Sequence, residues 1–178
     1  MKFVASELTF SQASGLKSIL DSFMLVIISS AVSPVNGGYP DNKTKILISN
    51  TKKLLEENNV TNVELICDSH CNVQKYVSEK IQCAVFNLGH RPNGNPAITT
   101  VASTTISALK SLFPLMKVNS LISIVVYVGH QNGETESTQL YEYVSTLPSK
   151  TFDVGLYSTL NKKNAPYNIL IEKIGELL

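Results

Sequence analysis

The stretch IQCAVFNLGHRPNGNPAITT, residues 81–100, decides the fold, because an apolar run leads directly into a loop rich in glycine and proline. Ile81–Asn87 is continuous, apolar and of strand length, which is typical of a central parallel strand covered on both faces. The loop after it contains two glycines, two prolines, a histidine and the only arginine of the chain. We therefore predict that a buried strand ends at Asn87 and delivers that side chain to a surface loop.

Helical and strand patterns alternate on both sides of this segment. The predicted helices are Thr44–Asn58, Val73–Ser78, Ser103–Lys117 and Thr138–Leu147. The other predicted strands are Asn62–Cys67, Leu121–Tyr127, Phe152–Thr159 and Tyr167–Ile174. Pro114 must end or kink the third helix, and residues 128–137 are predicted to form a loop. The last connection is too short for a crossover helix, so the final two strands are expected to be antiparallel.

This alternation predicts an α/β fold whose sheet is mostly parallel, with an antiparallel strand at its C-terminal end. We expect one domain over residues 1–178, in which residues 1–40 form a divergent N-terminal part. Ligands of such sheets bind beyond the carboxyl ends of the strands, near a topological switch point. Asn87, Gly89, Tyr127 and His130 lie at such ends.

Composition excludes several classes of protein. The chain is 43% hydrophobic and 16% charged, which is typical of a globular domain and excludes a disordered tail or a coiled coil. A net charge of +1 gives no large basic field for nonspecific binding of nucleic acid. An RNA substrate is still compatible with the sequence, because lysines can cluster on one face of the helix that begins near Thr44.

The three cysteines indicate a reducing compartment, which we expect to be the cytoplasm, with an organelle as the alternative. Cys67, His70 and Cys71 do not supply the four closely spaced ligands of a structural zinc site, so we predict buried thiols and no metal. The longest apolar run, Phe23–Val32, is about half of the ~20 residues that a membrane span requires, so no membrane partner is expected.

Four blocks together resemble a known family: residues 84–100, STTISALKSL, LISIVVYVGH and FDVGLYSTLNKKNAPYNILIEK. In order and spacing they are similar to the small class I S-adenosylmethionine-dependent methyltransferases called rRNA methylases. The resemblance extends from about Asp41 to Lys173. It implies a Rossmann-like sheet, S-adenosylmethionine as cofactor and a tRNA or other RNA partner. It also implies methylation of the amine of 5-aminomethyl-2-thiouridine at the wobble position. A homodimer is a further expectation.

The match is carried by three motifs of the family. The pattern N-L-G-Y-L-P-x-G-(D/N)-x-x-I-T-T fits residues 87–100, except that His90 and Arg91 replace its Tyr and Leu. The pattern V-V-Y-x-G-H fits residues 125–130. The C-terminal pattern L-N-(Q/K)-x-N-x-P fits residues 160–166.

The resemblance assigns roles residue by residue. Asn87 and His130 are the candidate catalytic residues: the amide accepts hydrogen bonds from the target amine, and the imidazole is a candidate base. The candidate cofactor-binding residues are Asp41, Asp68, Ser69, His70, Asn87 and Gly89. The candidate substrate-binding residues are His90, Arg91, Gly94, Thr99, Thr100 and Tyr127.

Each candidate also has a structural interpretation. Asn87 can simply cap a turn, and an acid that follows a strand, such as Asp41 or Asp68, often caps the next helix. Thr99 and Thr100 can cap the helix that they precede. A lone loop histidine is more often a solvated surface group than a base.

One part of the family pattern is absent. The family opens with D-A-T-x-G-N-G, but the corresponding position, Gly15–Asp21, has no G-x-G. Residues 22–32 fall where the family has its first helix. We therefore expect N-terminal strands to be missing or altered, and an alternative function is a catalytically inactive relative that has lost cofactor binding. A nicotinamide-dependent Rossmann enzyme is disfavoured because G-x-G-x-x-G is absent as well.

Overall fold

The structure is a computed structural model. It describes residues 2–4, 25–29, 42–61, 63–87, 102–128, 131–163 and 165–177.

A seven-stranded sheet organises the described residues. Its strands are β1 (Lys2–Val4), β2 (Leu25–Ser29), β3 (Glu64–Leu65), β4 (Ile81–Asn87), β5 (Met116–Val126), β6 (Phe152–Tyr157) and β7 (Tyr167–Lys173). Their spatial order is β3-β1-β2-β4-β5-β7-β6. The five strands from β3 to β5 are parallel, whereas β7 runs antiparallel to both of its neighbours. The predicted fold class, a mostly parallel sheet with an antiparallel C-terminal strand, is confirmed.

Three α-helices accompany the sheet among the described residues: α1 (Asn42–Glu57), α2 (Ala102–Leu112) and α3 (Gln131–Ser145). Two 3-10 helices, His70–Lys75 and Phe113–Leu115, precede β4 and β5. No helix in the described ranges is long and apolar enough to span a bilayer.

One face of the sheet carries the core. Alternate residues of β4, β5 and β7 are buried, because side chains along a strand point to opposite faces in turn. These residues are Ala84, Phe86, Ile122, Ile124, Ile169 and Ile171. They form one cluster with apolar residues of α2 and α3, so the two helices cover this face. From Cys83 onward in β4 and from Leu121 onward in β5, the opposite face contributes no residue to the cluster.

The N-terminal strands differ from the expectation. Residues 22–32 correspond to the first helix of the family, but here they contain β2, which pairs in parallel with β4. The β-branched residues of Leu25–Ser29 favour a strand between two parallel neighbours. In the usual Rossmann order the first strand of the chain lies beside the fourth. Here the second strand has that place and β1 lies outside it, so the first two strands are exchanged.

Three element boundaries also require correction. Strand β5 begins at Met116, five residues before the predicted start, because Pro114 lies in a 3-10 turn that ends the preceding helix early. Helix α3 begins at Gln131, inside the predicted loop. Glu134 lies in the first turn of this helix, where its negative charge is stabilised by the positive end of the helix dipole. The predicted helix 73–78 is the 3-10 helix His70–Lys75.

Candidate functional site

The carboxyl end of β4 places Asn87 in a lateral row of residues. Asn87 pairs with Ser29 of β2 on one side and with Val125 of β5 on the other. Val125 pairs in turn with Asn168 of β7, and Asn168 pairs with Tyr157 of β6. Directly paired residues point to the same face of a sheet. Asn87, Val125, Asn168 and Tyr157, called the Asn87 row below, therefore share the face that α2 and α3 do not cover.

The Asn87 row is accessible from outside. Asn87, Val125 and Asn168 are half-buried, and Tyr157 is 64% exposed. Neither Asn87 nor Asn168 forms a side-chain hydrogen bond with any residue that the structure describes. A carboxamide offers two N–H donors and a carbonyl acceptor. Within the described ranges, no side-chain hydrogen bond uses these groups of either amide.

Tyr127 belongs to the same region. It directly follows Val126, the last residue of β5, and so lies at the same edge of the sheet as Asn87. Its side chain is 40% exposed. The structure thus brings two residues predicted from the sequence, Asn87 and Tyr127, to one edge of the sheet.

A second polar cluster lies after β3 and is centred on Asp68. Its Oδ1 accepts hydrogen bonds from the backbone N–H of Ser69 at 2.6 Å and from Nδ2 of Asn72 at 3.0 Å. Its Oδ2 accepts a hydrogen bond from the Tyr76 hydroxyl at 2.6 Å. The carboxylate therefore holds together the two ends of the 3-10 helix His70–Lys75. Asp68 does not cap this helix, because the N-cap residue is Ser69 and no side-chain capping hydrogen bond is formed.

Asp68 is held in its ionised form. Desolvation by burial raises the pKa of Asp68, but the hydrogen bonds from Tyr76, Asn72 and Ser69 together outweigh it, so the pKa lies below its ordinary value. The same hydrogen bond to Asp68 raises the pKa of Tyr76. A carboxylate has about four lone-pair sites. Three are used here, which leaves Asp68 one further acceptor site on Oδ2.

His70 is 2% exposed, and its Nε2 lies 3.4 Å from Oγ1 of Thr105 in α2. Desolvation by burial lowers the pKa of His70 from 6.5 to about 4, so the ring is neutral near pH 7. In this arrangement His70 packs the 3-10 helix against α2. Its contact with a cofactor stays a prediction.

The remaining candidates cannot be placed. Eight predicted site residues lie outside the described residues: Asp41, Gly89, His90, Arg91, Gly94, Thr99, Thr100 and His130.

Within the described ranges, no group of three His, Cys, Asp or Glu side chains is arranged to hold a metal ion. Cys71 lies 3.1 Å from the Ser69 hydroxyl, and the three cysteines form no disulfide with each other.

Asn168 was missed by the sequence reasoning. The signal was available in part, because Asn168 is an amide in a strand that is otherwise mostly apolar. Its position opposite Val125 depends on the register between β5 and β7. No local pattern in the sequence specifies that register.

Comparison with known proteins identifies the family. A family model described as "Putative rRNA methylase" matches residues 44–173. A tRNA (mnm(5)s(2)U34)-methyltransferase, chloroplastic, from Arabidopsis thaliana is 34% identical over 113 residues, which are 62% of this chain and 41% of that protein. The chain thus spans less than half the length of this relative.

Two solved structures are also similar. A "putative rRNA-methylase" from Clostridium thermocellum is 28% identical, with a TM-score of 0.78 over 97% of this chain and 88% of the other. A "putative methyltransferase" from Streptococcus mutans in complex with SAH is 28% identical, with a TM-score of 0.74 over the same shares, 97% and 88%. The family model covers well over half of the chain and starts just after Asp41. The resemblance inferred from the sequence is confirmed: this chain belongs to the rRNA methylase family and has its Rossmann-like methyltransferase fold.

Proposed function

We propose that this chain is an S-adenosylmethionine-dependent methyltransferase that methylates the amine of 5-aminomethyl-2-thiouridine at the wobble position of tRNA. The observation that carries the proposal is the half-buried amide of Asn87 at the carboxyl end of β4, which has no side-chain hydrogen bond to any described residue. That end lies at the edge of the sheet where doubly wound folds bind ligands. The name of the Arabidopsis relative supports this nucleotide, and the SAH in the Streptococcus mutans structure supports this cofactor.

The described residues fit S-adenosylmethionine. Asp68 is ionised and retains one acceptor site, as a contact to the donor groups of an adenosine requires. Asn87 lies three strands from the end of β3, beyond β1 and β2. At ~4.8 Å per strand, about 14 Å separates these two ends, which suits an elongated nucleoside ligand. When bound, the cofactor supplies an electrophilic methyl group on a sulfonium.

The acceptor side of the reaction depends on orientation. The neutral amine donates its N–H groups to the carbonyl of Asn87, which aims the nitrogen lone pair at the methyl carbon. The lone pair forms the new N–C bond while the S–C bond breaks, and its electrons stay on sulfur. The product ammonium then releases a proton to water or to an imidazole. Because the methyl group is already activated, positioning and electrostatics account for most of the rate gain.

Other predicted residues complete the proposed site. His130 is the proposed base, and Tyr127 bounds the substrate side of the pocket. The cofactor contacts are proposed for Asp41, Asp68, Ser69, His70 and Gly89, and the RNA contacts for His90, Arg91, Gly94, Thr99 and Thr100. The proposed compartment is the cytoplasm or an organelle. The chloroplastic name of the Arabidopsis relative supports the second.

Two measurements test this function. Calorimetry of the chain with S-adenosylmethionine should give micromolar binding, with matching thermal stabilisation. A tRNA that carries 5-aminomethyl-2-thiouridine should then gain one methyl group on that nucleoside, detected by mass spectrometry of the digested RNA. If S-adenosylmethionine gives neither heat of binding nor thermal stabilisation, the result would favour an inactive relative that has lost cofactor binding. Binding without transfer would reject the proposed nucleotide.

A further inference from the structure

We infer that Asn168 recognises the pyrimidine base of the substrate, by hydrogen bonds to the Watson–Crick edge of the target uracil. The inference rests on the proposed function and extends it from the reacting amine to the base that carries it. It begins from the Asn87 row, in which Asn87 and Asn168 flank Val125 on one face of the sheet.

The separation of the two amides suits one pyrimidine ring. Two strand spacings of ~4.8 Å place the Cα atoms of Asn87 and Asn168 about 10 Å apart. A single ring with its aminomethyl arm bridges this distance when each end makes a hydrogen bond of about 2.9 Å. Val125 lies between the amides and offers an apolar surface to the face of the ring. The order amide, apolar residue, amide therefore matches a flat molecule with polar ends.

No contact among the described residues explains an amide at position 168. The residue before it, Tyr167, points to the opposite face and anchors the start of β7 through a 2.7 Å hydrogen bond between its hydroxyl and Oγ of Ser137. Asn168 forms no side-chain hydrogen bond with any described residue, although it is half-buried. Polar groups in such places are usually paired, and a ligand would provide the partner.

The chemistry of the amide fits the Watson–Crick edge of a pyrimidine. Uracil presents an N3–H donor beside carbonyl acceptors, and one carboxamide can accept from the first and donate to the second. Reading of the Watson–Crick edge is the usual way in which enzymes recognise a base that has left the stack. An aspartate at this position would keep the acceptor for N3–H but lose the donor to the carbonyl, and a leucine would lose both.

The test compares two anticodon stem-loop RNAs, one with 5-aminomethyluridine at the wobble position and one with the N3-methylated form of that nucleoside, which has no N3–H to donate. Single-turnover transfer by the unmodified chain should prefer the unmethylated base by roughly ten- to a hundredfold. Asn168→Leu, which removes both hydrogen bonds, should bring the ratio of the two rates toward one. Asn168→Asp, which keeps only the acceptor, should slow transfer to the unmethylated base. Calorimetric binding of S-adenosylmethionine should stay unchanged in both variants.

Gln139→Leu is the matched control, because it makes the same change from amide to leucine at an exposed position of α3. It should leave the ratio of the two rates unchanged. A ratio that Asn168→Leu leaves unchanged, or that Gln139→Leu changes equally, would overturn the inference while the proposed function stands. Absence of transfer by the unmodified chain would instead reject the proposed function, and this inference with it.

Discussion

The hydroxyl of Tyr76 donates a 2.6 Å hydrogen bond to Oδ2 of Asp68, eight residues earlier in the chain. This bond closes the 3-10 helix His70–Lys75 onto the loop that follows β3. It also contributes to the lowered pKa of Asp68, against the opposing effect of desolvation. The geometry of this proposed cofactor contact thus depends on a tyrosine that no sequence motif had singled out.

Replacing Tyr76 by phenylalanine tests this relationship. Tyr76→Phe should lower the free energy of unfolding by about 1 kcal/mol, since the hydrogen bond to a charged group is partly screened by solvent. Because the folded-state pKa of Asp68 is lowered, the stabilisation is complete above its unfolded value of 3.8 and is lost as pH falls through the folded value. Urea unfolding at about pH 6 and about pH 2.5 should therefore give a larger difference at the higher pH. Equal differences at both would contradict the ionic character of this bond.

Burial of His70 should make the free energy of unfolding depend on pH between about 4 and 6.5. Its pKa is lowered from 6.5 to about 4 in the folded state, so between these values the unfolded chain binds a proton that the folded chain does not. Stability should therefore fall by about 1.4 kcal/mol for each pH unit below 6.5 and level off near pH 4. His70→Gln should remove this slope in urea unfolding, whereas Thr105→Val, which keeps the imidazole, should retain it. Parallel pH profiles for the unmodified chain and His70→Gln would refute the assignment.

Two glycines give a matched pair of stability variants near the C-terminal strands. A Cβ on Gly175 would lie 2.5 Å from the backbone oxygen of Lys150, whereas a Cβ on Gly155 would meet nothing within 4 Å. Gly175→Ala should therefore destabilise the protein by about 1–3 kcal/mol through overpacking against backbone. Gly155→Ala, inside β6, should be neutral or slightly stabilising because a strand glycine costs backbone entropy. Thermal unfolding measures both, and equal losses would show that the contact with Lys150 is not the cause.

Much of the fold was predictable, because the central elements are strongly patterned. Strand β4 was predicted with both of its ends, since Ile81–Asn87 is mostly apolar and a loop rich in glycine and proline follows it. The antiparallel pair at the C-terminus followed from a connection too short for a helix. Strand β2 was not predicted, because a short apolar run is equally compatible with a buried helix and a buried strand. The exchange of β1 and β2 depends on pairing between strands that are distant in sequence, which local patterns do not specify.

The site was predictable only where a motif names the residue. Asn87 and Tyr127 belong to family motifs, and the structure brings them to one edge of the sheet. The position of Asn168 depends on the register between β5 and β7, and the role of Tyr76 depends on its hydrogen bond to Asp68. Local periodicity in the sequence reveals neither. Tertiary pairing, rather than residue type, decides which amide of this chain lies beside Asn87.

The most direct test of the account is the rate of methyl transfer by Asn87→Ala. In single-turnover reactions with saturating S-adenosylmethionine and tRNA containing 5-aminomethyl-2-thiouridine, loss of the orienting amide should slow transfer by about a hundredfold or more. Gln139→Ala, which removes an exposed amide of α3, should retain the unmodified rate. A rate for Asn87→Ala within about twofold of the unmodified chain, well short of the expected loss, would contradict the assignment of this amide to the methyl acceptor.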